Sequence, residues 1–197
     1  MASSPVTNVV PFPAAVRDDD ELIERLRKAD PDAVALLYRR HHQKVRAFAR
    51  RMLGDHAAAE DVVHDAFVAL PKAAERFRME ARIDTFLLSI AVNLCRRQIR
   101  SSARGRRAAE NLERREPPPA IATPESVLSR QQLADALNRG LSELSPDHRE
   151  VFVLCAVEER SSQEVGNILE IAEGTVRTRL FHARKQLRAF FEREGIA

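Results

Sequence analysis

Thr175, Arg177, Thr178, Arg179, Phe181, His182, Arg184 and Lys185 fall in one short segment. Guanidinium forks match phosphates and base edges with paired hydrogen bonds, and hydroxyl and aromatic groups add polar and apolar contacts to a base. A second set, Arg76, Phe77, Arg78, Asn93, Arg96, Arg97 and Arg100, combines cations with an amide that offers a base edge both a donor and an acceptor. A third, Glu60, Asp61, Val62, His64 and Asp65, is an acidic cluster suited to a basic protein partner or to a solvated helix start. His56, Glu60 and His64 recur every fourth residue, as metal ligands on one helix face do. No second ligand cluster accompanies them, so a surface helix start is the expectation. Cys95 and Cys155 are far apart and in no metal-ligand spacing, which fits a reducing cytoplasm. No catalytic group, metal or cofactor is expected.

The elements that position these residues read as helices. Of the 197 residues, 44% are hydrophobic, 5% are aromatic and none is Trp, which suits helices rich in Ala, Leu and Arg and points to an all-α fold. The 32 Lys and Arg exceed the 29 Asp and Glu only slightly, so the distribution of charge says more than its total. Acids gather at Asp18 to Glu24 and at Glu60 to Asp65, and arginines at Arg96 to Arg107 and Arg177 to Arg188. Different surfaces should therefore meet different partners.

Residues 1–17 are broken by Pro5, Pro11 and Pro13 and do not resemble a signal peptide; a disordered leader is expected. Asp18 to Asp20 offer N-caps for a short helix, and Asp30-Pro31 opens a second that runs to about Leu53 before Gly54. A third helix is expected from about His56 to Leu70. A fourth, capped by Asp84 or Thr85, should carry Phe86, Leu87, Ile90, Ala91 and Leu94 on its apolar face. The pattern fails after Ser101, and Pro117, Pro118, Pro119 and Pro124 mark a flexible linker. This divides the chain into two small helical domains, 18–101 and 128–197, joined by 102–127. In the second, Leu133, Ala136, Leu137, Leu141 and Leu144 share a helical spacing, and Ser145-Pro146 opens the next helix. Ser161 with Glu164 forms a capping-box pattern for a helix to about Leu169, and a long helix starts near Glu173. A short helix, a tight turn and a long arginine-lined helix make a helix-turn-helix signature, with Val176, Leu180 and Leu187 facing the core.

The run SSQEVGNILEIAEGTVRTRLFHARKQL at 161–187 resembles the minus-35 reading region of extracytoplasmic-function (ECF) sigma factors, its GTVRTRLFHAR core most closely. AEDVVHDAF at 59–67 is similar to that family's polymerase-docking helix, and TFLLSIAVNLCRR at 85–97 to its minus-10 reading helix. The resemblance implies that 18–101 is sigma region 2 and 128–197 is region 4. It implies that Glu60, Asp61, Val62, His64 and Asp65 dock on the clamp helices of the largest polymerase subunit, and that region 4 meets the flap of the second largest. It also implies that Asn93 and the loop 77–83 hold a flipped minus-10 base while Arg76, Arg78, Arg96, Arg97 and Arg100 hold phosphates. Thr175 to Lys185 would then read the minus-35 element.

Four positions depart from the family's usual pattern. Phe86 stands where Trp is common, which predicts looser packing, and Gly166 replaces Ala at a cost of up to about 1 kcal/mol. Glu170 replaces the turn glycine, at about 1 to 2 kcal/mol, and His182 replaces Arg, which could make minus-35 preference unusual or pH-sensitive. The rival reading is a helix-turn-helix regulator of the response-regulator kind, binding DNA without polymerase; its alternating strands and phosphoacceptor Asp are not visible in the first half. The expected partners are core RNA polymerase, promoter DNA and an anti-sigma factor. No membrane insertion is expected, and the location should be the cytoplasm, on the nucleoid when in holoenzyme. In the free protein the two domains should pack together or be masked by the anti-sigma partner, since exposed basic faces bind DNA nonspecifically.

Overall fold

Several helix starts and stops among the described residues have a local cause. The computed structural model describes residues 15–77, 82–109 and 130–196, and within them the chain forms eight α-helices, one π-helical turn and no strand. The first, α1, spans Ala15–Arg27. It begins before Asp18 to Asp20, so those positions fall inside the helix and not at its start. The leader expected at 1–17 otherwise lies outside the described residues. In α2 (Pro31–Leu53), Asp30 accepts from the Asp32 backbone N–H at 2.9 Å, Pro31 occupies the first turn, and Gly54 closes the helix at φ 70°. Asp55 caps α3 (His56–Ala74) by accepting from Ala58 N–H at 3.0 Å.

Helix α3 runs past the expected stop at Leu70, through Pro71, because Leu70 and Ala74 are both fully buried and hold the last turn in place. Arg27 then fastens that end, donating to the carbonyls of Ala74 at 3.0 Å and Phe77 at 2.6 Å. Helix α4 (Ile83–Ala109) starts ahead of both expected caps, and Asp84 spends its carboxylate elsewhere. It also continues beyond Ser101, since Arg and Ala are good helix formers even where apolar periodicity stops.

The second half comprises α5 (Arg130–Glu143), α6 (Pro146–Phe152), α7 (Ser162–Leu169) and α8 (Glu173–Arg193). Between α6 and α7 the backbone widens into a π turn, Val153–Val157, where Glu158 N–H reaches the Val153 carbonyl at 2.9 Å. Of the apolar residues expected along α5, Ala136, Leu141 and Leu144 are buried, while Leu133 is exposed. Helices α2, α3 and α4 pack together, α6, α7 and α8 form a second group, and α7 also lies against α4. Buried side chains of both halves, among them Phe48, Leu70, Leu88, Leu141, Val151 and Leu187, form one continuous apolar cluster. Each such Leu or Phe stabilises the fold by about 1.5–3 kcal/mol on leaving water.

Two departures expected to weaken the fold are accommodated. Phe86 stacks on Phe77 with ring centroids 4.3 Å apart, so its packing is not loose. Gly166 is required by a close approach: a Cβ there would sit 2.9 Å from the backbone carbonyl of Ile171, whose N–H in turn donates to the Gly166 carbonyl. The expected propensity cost is thus outweighed by a contact that no side chain could share. Glu170 does adopt the left-handed conformation, at φ 58°, and ends α7 with its N–H on the Gly166 carbonyl. Gly166→Ala should lower stability by about 1–3 kcal/mol in urea unfolding, although alanine is the better helix former.

Candidate nucleic-acid interface

The turn of the helix-turn-helix is set by hydrogen bonds from both of its flanks. Ser161 accepts from Glu164 N–H at 3.2 Å while Glu164 accepts from Ser161 N–H at 2.9 Å, the reciprocal capping box that starts α7. Those bonds hold the Glu164 carboxyl below the usual carboxylate range, the backbone bond from Ser161 being the main cause. From Glu173 onward α8 buries Val176, Ala183 and Leu187, with Leu180 partly covered. Its other face exposes Thr175, Arg177, Thr178, His182, Arg184 and Lys185, and Phe181 at 65% exposure. An exposed phenylalanine among cations suits a base face or a thymine methyl. Arg177 leans on Glu173 one turn earlier, Thr178 donates to the Gly174 carbonyl, and His182 stacks on His148 with centroids 6.0 Å apart. Arg179 is turned aside, 2.7 Å from Asp147, and is half-buried.

The second basic set gathers on α4 and the end of α3. Asn93, Arg97, Arg100 and Arg76 are exposed, and Phe77 is half-buried against Phe86. Arg78 and residues 79–81 lie outside the described residues, and with them most of the loop expected to hold a base. Arg97 sits 3.4 Å from Asp65 in the open. Arg96 differs: its guanidinium reaches across to the second half and pairs with Glu150 at 2.7 Å. Burial pushes the Glu150 carboxyl up, against the opposing pull of Arg96.

The acidic set on α3 divides. Asp61, Asp65 and His64 face outward to differing degrees, and Glu60 is tied to Arg46 at 2.6 Å. Val62 is buried in the core, so it places the helix and offers no surface to a partner. Among the described residues no group of three or more His, Cys, Asp or Glu could hold a metal ion; His56 and Glu60 stand 3.8 Å apart, but Glu60 turns to Arg46. Beside this face lies an apolar groove of about 600 Å³ lined by Pro31, Tyr38, His64, Phe67, Val68 and Pro71. Val68 and Tyr38 are its exposed large apolar side chains.

Comparison with known proteins bears on this arrangement. The family profile for Sigma-70 region 2 matches residues 37–105, and that for Sigma-70, region 4 matches residues 134–187. The ECF RNA polymerase sigma-E factor of Escherichia coli strain K12 is 32% identical over 180 residues, covering 86% of this chain and 92% of that protein. The chain belongs to the ECF sigma-factor family. The RNA polymerase sigma-H factor of Pseudomonas aeruginosa is 29% identical over 178 residues, 86% of this chain and 91% of that protein. Two solved structures share the fold. CnrH in complex with the cytosolic domain of CnrY superposes with a TM-score of 0.63 at 24% identity, over 88% of this chain and 97% of CnrH. RpoE of Bartonella quintana in complex with the anti-sigma factor NepR gives 0.62 at 23% identity, over 89% and 98%.

In this sigma factor two of the residues that join the two halves were invisible to pattern reading. Arg149 donates to the carbonyls of Met52 at 2.7 Å and Ser142 at 2.9 Å, and Arg160, at 8% exposure, pairs with Asp84 at 2.5 Å. Only their partners, distant in sequence, mark them out; a lone arginine at a helix end looks like a solvated charge. Cys95 lies in the core with its thiol pushed up to about 12 by burial, which makes it an unreactive packing group.

A pH test follows from the capping box. Because the folded-state pKa of Glu164 lies below its unfolded value, its contribution is complete above the ordinary carboxylate range and is lost as pH falls through the lowered value. Glu164→Gln should therefore destabilise the protein at neutral pH and flatten part of the acid limb of its stability profile, read by thermal melts between pH 7 and about 3.

Proposed function

We propose that this sigma factor binds core RNA polymerase and directs transcription initiation by reading two promoter elements, the minus-35 element through α8 and the minus-10 element through α4. One observation carries the reading: a single chain holds a region 2 match followed by a region 4 match, with basic faces on α4 and α8. The working division places region 2 at 18–101 and region 4 at 128–197, with 102–127 between them and a leader at 1–17.

On α8, Arg177, Thr178, Phe181 and His182 point at bases, with Thr175, Arg184 and Lys185 on phosphates. Arg179 joins them once released from Asp147. On α4, Asn93 meets a base flipped from the stack, and Arg97 and Arg100 hold phosphates beside Arg76. Arg96 completes the set in the DNA-bound state. Docking on the clamp helices uses Asp61, His64 and Asp65, with Glu60 at the rim and the Tyr38–Val68 groove as its apolar part; region 4 takes the flap.

The energetics explain why polymerase is needed. Opening about ten base pairs costs roughly 1.4 kcal/mol per stacking step, more than 10 kcal/mol in all, whereas one captured base returns about 1–3 kcal/mol. The chain supplies recognition and strand capture, and polymerase supplies the remaining free energy and the bond chemistry. It works where promoter DNA is, in the cytoplasm and on the nucleoid once in holoenzyme. An anti-sigma partner is in keeping with the relatives solved in complex with CnrY and NepR.

Run-off transcription on genomic fragments is the direct test: core polymerase plus this chain should start at promoters that core alone ignores. A regulator of the response-regulator kind would instead bind DNA as a dimer without polymerase. Arg177→Ala should weaken minus-35 recognition by about 1–3 kcal/mol and leave minus-10 strand capture unchanged, as read by footprinting with mutant promoters. Equal loss at both elements would remove the assignment of roles. Val68→Asp should weaken core binding at least about tenfold without lowering the melting temperature, since a charge would be driven into an apolar contact.

A further inference from the structure

Three side chains of the reading helix are met by the first turn of α6. On α8, Arg179, His182 and Gln186 follow one another at steps of three and four residues, so they share one stripe. Arg179 lies 2.7 Å from Asp147. The ring of His182 lies against that of His148, with centroids 6.0 Å and planes 19° apart, and Nδ1 of His148 stands 3.3 Å from Oε1 of Gln186. An amide oxygen only accepts, so that ring nitrogen donates. Phe181 closes on His182 from another side, its ring 5.5 Å away and steeply inclined at 75°. His182 is thus bracketed by two rings and still exposed.

The support beneath His148 is firm. Ser145 caps α6 by accepting from the His148 backbone N–H at 3.4 Å, and Pro146 fills the first turn. The next residue, Arg149, donates to the carbonyls of Met52 at 2.7 Å, Ser142 at 2.9 Å and Leu144 at 3.2 Å. Glu150 after it is buried, with Arg96 on its carboxylate. The half-buried His148 therefore projects from a turn that is fixed on both sides in sequence. A side chain that orients a binding group needs a support of that kind.

The chemistry of His182 makes its orientation matter. An arginine carries donors around a whole fork, so it finds acceptors such as O6 and N7 of guanine from many angles. An imidazole nitrogen bonds only in the plane of its ring, and that plane decides which base edge it can meet. The torsion that sets the plane is broad, so the backbone of α8 does not fix it. A stacked neighbour does: ring pairs of this kind shift such an equilibrium by about two- to tenfold.

We infer that His148 is a positioning residue for minus-35 specificity, its ring holding the imidazole of His182 in the plane from which it meets one base pair in the major groove. The inference rests on the assignment of α8 to the minus-35 element made under the proposed function. It adds a residue outside the reading helix on which the base preference of that helix depends. His148 acts through His182 and has no contact of its own with the base.

The test uses holoenzyme, assembled from core polymerase and the full chain, on a promoter mapped by run-off transcription, with all four base pairs placed in turn at each minus-35 position. His182→Ala marks the base pair that His182 reads, as the position where preference falls about fivefold or more. His148→Ala should lower preference at that same position about two- to tenfold and leave the other minus-35 positions and the minus-10 element unchanged. Removing both rings should cost no more than removing His182 alone. His148→Phe, which keeps a ring to stack, should retain the preference; His148→Asn, which keeps a donor for Gln186 without a ring, should lose it. An unchanged preference in His148→Ala overturns the inference, as does a loss at another position, a loss spread evenly over the element, or a double variant that loses the product of both effects. Rescue by asparagine overturns the stacking role. Should His148→Ala fail to fold, the other two variants are compared in its place: retention with phenylalanine and loss with asparagine supports the inference, and any other pairing overturns it. A His182→Ala holoenzyme with unaltered minus-35 preference would instead sink the reading of α8 itself, whereas failure confined to the His148 variants leaves that reading standing.

Discussion

A guanidinium buried at a joint must be met by acceptors, whether carboxylates or backbone carbonyls, and it can match only one set at a time. In this sigma factor that constraint acts on Arg96 and Arg160 at the joint between the halves, and a more exposed pair holds Arg179 on α8. Arg96 is held by Glu150, Arg160 by Asp84 and Arg179 by Asp147, each through a carboxylate of the chain itself. Where the partner is another element of the protein, the arginine helps to place that element; where it is a phosphate, the same group would recognise DNA. The fold and the proposed function therefore draw on a shared set of side chains.

The two basic helices are treated differently. Helix α8 keeps most of its cations on an exposed face, with Phe181 among them, while Val176, Ala183 and Leu187 tie its other face to α6 and α7. That division leaves a helix whose backbone is held by the core and whose polar side chains are available. Helix α4 is engaged along its length: Asp84 and Arg96 meet the second half, and Asn93, Arg97 and Arg100 remain outside. Burial raises the Glu150 carboxyl and lowers Arg149, whereas Asp84, also burdened by burial, is kept low by Arg160, Lys44 and Arg82. The joint thus mixes a well-compensated pair with groups that burial penalises.

The acidic face of α3 shows how charge and apolar surface cooperate. Asp61 and Asp65 would steer a basic partner, but steering sets rate and orientation more than affinity. The adjoining groove, with Tyr38 and Val68 exposed, offers the apolar area that affinity requires. Val62 serves the same face from below by fixing the helix in the core.

Much of this was determined by the sequence alone: the all-α class, the Asp30-Pro31 and Ser145-Pro146 helix starts, the Ser161–Glu164 capping box, and the arginine-lined α8. Those features act over one or two turns, where residue type and spacing suffice. Tertiary structure decided the rest. That Gly166 is needed by the Ile171 carbonyl and that Phe86 finds Phe77 depends on how the chain turns between neighbouring elements, and that α3 survives Pro71 and that Arg96 and Arg160 cross to Glu150 and Asp84 depends on groups brought together from distant parts of the chain. A side chain's spacing records the face it occupies. Its partner is chosen only when helices pack, because burial turns an ordinary surface charge into one that must be answered.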